Sequence, residues 1–352
     1  MRFTISLLVA GFGTAVLAEP PKVAVDIAPV HGLVAQVMEG VGSPELVIPL
    51  GADPHGYAMR PSEARALAQA DIVFWVGPSL TPWLADPIET LAAQAQHITL
   101  SEVDGITLLP MRQDARFEAH DHGDHAHGDD EDAHAHDDHG EHAHGDHAHD
   151  HAHDDHADEH AHDAHADEHA HDDHAHAKGA IDGHMWLNPD NAVLWLDEIS
   201  TTLAAQDPEN ADIYRSNAEK ASADIEALSE TISSKLISVQ AQPFIVFHDS
   251  YYYFEEHFGV TAVAAVTMSD GGAASAARLA DVREIVAETG ASCALAEPRA
   301  SQGLIDAVAE GAQITVKRID SVGVDIPTGP AFYPTLLLQI SDVMASCLSG
   351  QS

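Results

Sequence analysis

Three histidines stand where a metal ligand would be useful: His55, His184 and His248. His55 lies in Asp53-Pro54-His55-Gly56-Tyr57. His184 lies in Asp182-Gly183-His184-Met185-Trp186-Leu187-Asn188-Pro189, and His248 in Val246-Phe247-His248-Asp249-Ser250. One such histidine alone is more often structural or on the surface. Three, each in a short motif beside Pro, Gly or Asp and drawn from distant parts of the chain, point to a shared ion. Asp320, in Ile319-Asp320-Ser321-Val322-Gly323, offers an oxygen as fourth ligand, with water as the alternative. Three imidazoles with one carboxylate or water make a four-coordinate site that suits Zn²⁺ better than hard Mn²⁺ or Mg²⁺. His31 at a helix start is expected to cap or face solvent, and His97 and His257 to face solvent. Trp186 and Tyr57 are expected to pack the walls of the site, and Glu297 to support a loop.

A second, denser set of histidines fills one stretch. Of the 27 histidines, all but six lie between His120 and His176, among Asp, Glu, Ala and Gly. Twelve of those in its first part, His120, His122, His125, His127, His134, His136, His142, His144, His147, His149, His151 and His153, include repeated His-Ala-His units. Apart from alanine the stretch has nothing apolar, so it is expected to be disordered. Imidazoles interleaved with carboxylates suit Zn²⁺, Ni²⁺ and Cu²⁺, and the run is read as an accessory collector of metal.

The formal charge of −42 excludes nucleic acid and an anionic membrane surface as partners. Met1-Arg2, an apolar run from Phe3 to Leu17 and small residues at Val16 and Ala18 read as a signal peptide, residues 1–18, cleaved after Ala18. That run is short for a membrane span, and no other long apolar stretch exists, so no membrane insertion is expected. The mature chain is expected outside the cytoplasmic membrane. In an exported chain the two cysteines, Cys293 and Cys347, are most simply a disulfide, with two buried thiols as the alternative.

The elements that must position these residues alternate. Short β-branched runs at Lys22–Ile27, Glu45–Pro49, Ile72–Val76 and His97–Leu100 are separated by helical stretches. A second series begins at Phe244 and continues through Thr261–Val266, Cys293–Ala296 and Gln313–Ile319 to a last helix ending near Cys347. Strands alternating with helices indicate parallel sheets, whose ligands gather in loops at the carboxyl ends of strands. Between the two series, Asp207-Pro208-Glu209 reads as a helix start. The run to Leu236 has a thin apolar stripe (Ile213, Tyr214, Ile225, Leu228, Ile232, Leu236), suited to a strut and too broken for a coiled-coil dimer. The fold class is therefore α/β: two lobes of βα units joined by one long rigid helix, with the metal site in the cleft between them. The expected division is an N-terminal lobe 19–206 containing the disordered insertion 115–180, a connecting helix 207–238 and a C-terminal lobe 239–352.

These motifs resemble those of a known family. Asp53-Pro54-His55-Gly56-Tyr57 with Arg60-Pro61-Ser62, His184 to Pro189, and Val246 to Phe254 are similar to the ligand motifs of ZnuA-like zinc-uptake substrate-binding proteins of metal ABC transporters. The resemblance spans the mature chain except the His-rich run, and the family also carries a His-rich acidic insertion there. It implies that His55, His184 and His248 are ligands and that Asp320 is the fourth. It also pairs Cys293, before Ala296-Glu297-Pro298, with Cys347. Some zinc members have glutamate just before the first ligand histidine, where this chain has Pro54. The resemblance implies a monomeric zinc carrier, not an enzyme, that captures Zn²⁺ in the periplasm and hands it to a membrane permease with its ATPase. The alternatives are a periplasmic zinc store or chaperone using the His-rich run, and a zinc hydrolase. The hydrolase would need a general base paired with the site, and the chain lacks His-Glu-x-x-His.

Overall fold

The computed structural model describes residues 19–117, 180–268 and 274–350. The leader, the disorder expected of the His-rich run and its accessory histidines fall outside these residues. Four strands build the first sheet: β1 (Val23–Val25), β2 (Glu45–Leu46), β3 (Ile72–Trp75) and β4 (Gln96–Thr99), in the order β2-β1-β3-β4. The second sheet repeats this order one set later, as β6-β5-β7-β8, with β5 (Phe244–His248), β6 (Ala262–Thr267), β7 (Cys293–Ala296) and β8 (Thr315–Arg318). The pairings among these eight strands are parallel. The helices are α1 (Ala28–Val37), α2 (Pro61–Ala68), α3 (Ala85–Leu91), α4 (Pro189–Gln206) and α5 (Ala211–Leu236), then α6 (Tyr252–Phe258), α7 (Ala276–Thr289), α8 (Gln302–Ala309) and α9 (Phe332–Leu348).

The inner strands are buried on both faces, and this is why they read as unbroken apolar runs rather than as alternating ones. Val23 and Val25 of β1 and Phe244 and Val246 of β5 point into one central core with α1, α4, α5 and α9. Their neighbours point the other way. Ala24, Val73 and Trp75 pack under α2 and α3, and Ile245, Phe247, Ala294 and Ala296 pack under α7 and α8. The central core is continuous from one sheet to the other, through α5. Of the edge strands, β2, β4 and β8 are more exposed than the inner ones, and β8 carries Lys317 and Arg318, charges that discourage edge-to-edge pairing.

The long helix differs from its sequence reading in two respects. It begins at Ala211, four residues later than Asp207. Asp207 instead closes α4: its N–H bonds to Leu203 O at 2.9 Å, and its Oδ2 accepts from Asn210 Nδ2 at 2.7 Å and Tyr214 Oη at 2.8 Å. Asp-Pro-Glu is thus the turn between two helices. The apolar stripe is also less thin than it reads. Ala211, Ala218 and Ala221 are buried with Tyr214, Ile225, Ile232 and Leu236, while Ile213 is exposed. With the alanines and the half-buried Leu228 counted, these positions recur every three or four residues, and small side chains let α5 lie close against α4 and α1. The helix is a core element as well as a link.

Cys293 and Cys347 form a disulfide with Cα atoms 5.6 Å apart, joining the first residue of β7 to the end of α9. At the carboxyl end of β1, Asp26 is fully buried, its carboxylate accepting from Ile27 N and Val76 N, both at 2.7 Å. Burial pushes its pKa from 3.8 up to about 7, against those two N–H donors. The unfolded chain therefore loses this proton near pH 4 and the folded chain near pH 7. Folding is penalised progressively as pH rises through that window, by up to roughly 4 kcal/mol, and the penalty is constant above it. Asp26→Asn removes this titration. In urea unfolding, the stability of the variant relative to the parent is expected to rise between pH 4 and 7 and then level off.

Candidate metal centre

His55, His184 and His248 converge. One ligand atom from each lies within 4.8 Å of the other two, the one such group of His, Cys, Asp or Glu among the described residues. Ring centroids are 5.1 Å apart for His184 and His248, 5.4 Å for His55 and His184, and 6.1 Å for His55 and His248. A four-coordinate zinc with Zn–N bonds of about 2.0–2.1 Å holds its nitrogens roughly 3.4 Å apart, so small side-chain movements would close the set around an ion.

Each histidine is placed by a different local device. His248 is the last residue of β5, buried, and paired in register with Thr267 of β6. It stands at the carboxyl edge of the second sheet, where parallel sheets bind ligands. His55 lies in the loop after β2 and is half-exposed. Asp53 Oδ1 accepts from His55 N at 2.9 Å in a tight turn, and Trp83 Nε1 donates to Pro54 O at 2.7 Å. Arg299, from the loop after β7, bonds to Gly51 O and lies 3.8 Å from Asp53, tying this loop to the other half of the molecule. His184 opens a short 3-10 turn, Met185–Leu187, with Gly183 before it. A Cβ on Gly183 would meet Leu80 Cα and Ser79 O at 2.9 Å, so only glycine allows this loop to lie so close to residues 79–80.

Asp182 settles which nitrogen of His184 is available. Its Oδ1 lies 2.6 Å from His184 Nδ1 and accepts from His184 N at 2.9 Å. Nδ1 therefore carries the proton and Nε2 is left for an ion, the carboxylate–histidine arrangement common behind metal ligands. Burial opposes the charge on Asp182, but contact with His184 and the field of Arg112 outweigh it and hold the carboxyl below its usual range. Sequence reasoning missed Asp182, although a carboxylate two residues before a candidate ligand was a visible signal.

Asp320 is not brought into this group. Its Oδ1 accepts from Val322 N and Gly323 N at 2.9 and 3.0 Å, and its Oδ2 from Val324 N at 2.5 Å, so it shapes its own turn. Gly323 is required there: its φ is +74°, and a Cβ would come within 2.6 Å of Phe332. Trp186 is fully buried beside His184 and donates to Ser321 O at 2.8 Å, linking the His184 turn to the Asp320 turn. Tyr57 bonds to both oxygens of Glu63 at 2.9 and 2.8 Å, and Glu297 lies 3.5 Å from Ser250 Oγ.

Two other histidines depart from expectation. His31 neither caps α1 nor faces solvent: it is buried, with Nε2 3.1 Å from Pro44 O. His257 is mostly buried, bridging Ser229 Oγ at 2.8 Å and Asp190 at 3.2 Å, and so joins α6 to α5 and α4. His97 is exposed, as expected. Among the described residues no helix is long and apolar enough to cross a membrane.

Known proteins share both sequence and fold. A family model described as the periplasmic component A of the zinc-uptake complex, ZnuA, matches residues 23–347. The high-affinity zinc uptake system protein ZnuA of Paracoccus denitrificans is 41% identical over 348 residues, covering 98% of both chains. Its counterpart in Brucella suis is 37% identical over 348 residues, covering 99% of this chain and 98% of its own. A crystal structure of ZnuA superposes with a TM-score of 0.68 at 18% identity, covering 94% of this chain and 99% of that one, a likeness of fold. With the family model matched along almost the whole chain, and relatives this similar at full length, the chain belongs to the ZnuA family.

Proposed function

We propose that this protein is a zinc-binding protein of high affinity that captures Zn²⁺ outside the cytoplasmic membrane and delivers it to an ABC-type permease with its ATPase. The observation that carries this reading is the convergence of three imidazoles, one of them oriented by a buried carboxylate. Neutral nitrogen donors prefer a borderline ion, and three of them leave one further place in a four-coordinate site. The relatives named above are zinc-uptake proteins, which supports zinc as the cargo. His55, His184 and His248 are the ligands. Asp320 or water takes the fourth place, and Asp320 would have to give up some of its three backbone bonds to do so. The chain acts as a monomeric carrier and not as an enzyme, exported by a leader cleaved after Ala18. Its working parts are an N-terminal lobe, a connecting helix and a C-terminal lobe, and the His-rich run gathers zinc for the central site.

The test is zinc titration by chelator competition on the full mature chain and on a form lacking residues 120–176. One tight site is expected in both, with extra weaker binding only in the full chain. If tight binding disappears with the run, the protein is a store and the three histidines are bystanders.

A further inference from the structure

Residues 109–112, leading toward the His-rich run, touch both loops that carry the buried histidines. On one side Leu109 O accepts from Asp182 N at 2.9 Å. Tyr253 Oη of α6 accepts from Leu109 N at 2.9 Å and donates to Asp182 O at 3.1 Å. The loop in which Asp182 holds His184 is thus fixed to α6 through Leu109. On the other side Arg112 reaches Asp249, the residue after His248. Arg112 Nε lies 3.1 and 3.0 Å from the two Asp249 oxygens, and Nη2 bonds to Asp249 as well. Its Nη1 and Nη2 also donate to Glu255 of α6, at 2.8 and 3.1 Å. Phe117 and Tyr252 flank the guanidinium, with ring centres 3.8 and 4.2 Å from its carbon. Both carboxylates are buried. A planar fork held on its edges by two carboxylates and flanked by two rings has one orientation, which an ammonium group could not reproduce.

We propose that Arg112 is a positioning residue of the metal centre. It anchors Asp249 to the same frame, α6 with residues 109–112, that anchors Asp182. In this way it sets His248 against His184, whose rings are 5.1 Å apart, and so sets the coordination geometry offered to the ion. The inference rests on the three-histidine reading above. Loosening the frame would let water join the coordination sphere. This costs a four-coordinate ion more than a hard ion that accepts six oxygens.

Arg112→Lys tests this, because it keeps a positive charge among the buried carboxylates and loses the fork. Dissociation constants for Zn²⁺ and Mn²⁺ would be measured by chelator competition, together with the visible spectrum of the Co²⁺-loaded protein. Zinc affinity is expected to fall about 10- to 100-fold, the usual effect of losing support behind a ligand. Manganese affinity should fall less, so the ratio narrows, and the intense Co²⁺ bands of four-coordination should weaken. An unchanged ratio and an unchanged spectrum, even with a lowered Tm, would overturn the proposal and leave Arg112 a purely structural residue. Should the lysine variant not fold, the neutral combination Arg112→Gln, Asp249→Asn and Glu255→Gln is read by the same criteria. His55→Ala, His184→Ala and His248→Ala run in parallel separate the two failures. If they retain parental zinc affinity, the site reading falls and this inference with it. If they lose it while Arg112→Lys keeps both ratio and spectrum, only the inference falls.

Discussion

Replacing His248 with alanine is expected to weaken zinc binding by roughly 100- to 1,000-fold. Structural zinc sites bind with about 10–16 kcal/mol, and losing about one ligand in four removes roughly 3–4 kcal/mol, which converts to that ratio. The same size of loss is expected for His184→Ala, whose ring is held by Asp182 and has no other task in the site. His55 lies in a half-exposed loop held by Asp53, Trp83 and Arg299. Its removal should cost a similar amount in affinity with less effect on folding, because it fills no core. Chelator-competition titration of the three variants measures the affinities, and thermal unfolding without metal measures the folding cost. Any one variant with parental affinity would remove that residue from the ligand set.

Converting Cys293 and Cys347 to serine is the second large effect, and it falls on stability. The bond closes a loop with a sequence separation of 54 residues, for which the chain-entropy model gives about 4 kcal/mol. Both cysteines are buried, so the serine hydroxyls also need partners, and the one at hand is Thr315 O, 3.7 Å from Cys347 Sγ. The expected result is a lower urea midpoint for the double variant, matched by the parent protein under reductant. Zinc affinity of the folded variant should change by less than about threefold. Cys293 is level with Phe244 at the start of β5, and His248 ends that strand four residues, or roughly 13 Å, further on. A large loss of affinity in the folded serine variant would show that the disulfide reaches the site.

The sequence made parts of this molecule legible and hid others for physical reasons. The convergence of His55, His184 and His248 was readable because each stands in a local setting that can present a side chain: a turn-forming Asp-Pro before His55, a glycine allowing close approach before His184, a strand ending at His248. The strands and most helices were readable because parallel sheets bury both faces and leave unbroken apolar runs. Asp182 and Arg112 were harder, since an aspartate or arginine in a loop has many solvent-facing uses. Only folding shows that Arg112 meets Asp249 and Glu255, far along the chain. Alanine misled at α5, where small buried side chains look like mere helix formers but complete the packed face. Asp320 was singled out for its place after a strand. The same place suits a carboxylate that accepts three backbone N–H groups of its own turn.

The two ends that flank the His-rich run lie side by side. Pro110 and Ile181 form an antiparallel bridge, and Met111 N donates to Ala180 O at 2.8 Å. Farther along, Arg116 pairs with Ala264 and Phe117 is buried, although both fall in the stretch that the sequence assigned to the insertion. A segment whose ends are clasped in this way is a cassette. Where a run between such clasped ends makes no contacts of its own, each doubling of its length costs the fold only about 0.6 kcal/mol of loop closure. On that footing the histidine repeats can be lengthened, shortened or re-spelled while the clasp keeps the two flanking segments in place. By the same token, a protein engineer can exchange the repeat for a reporter domain with adjacent termini and keep the three converging histidines.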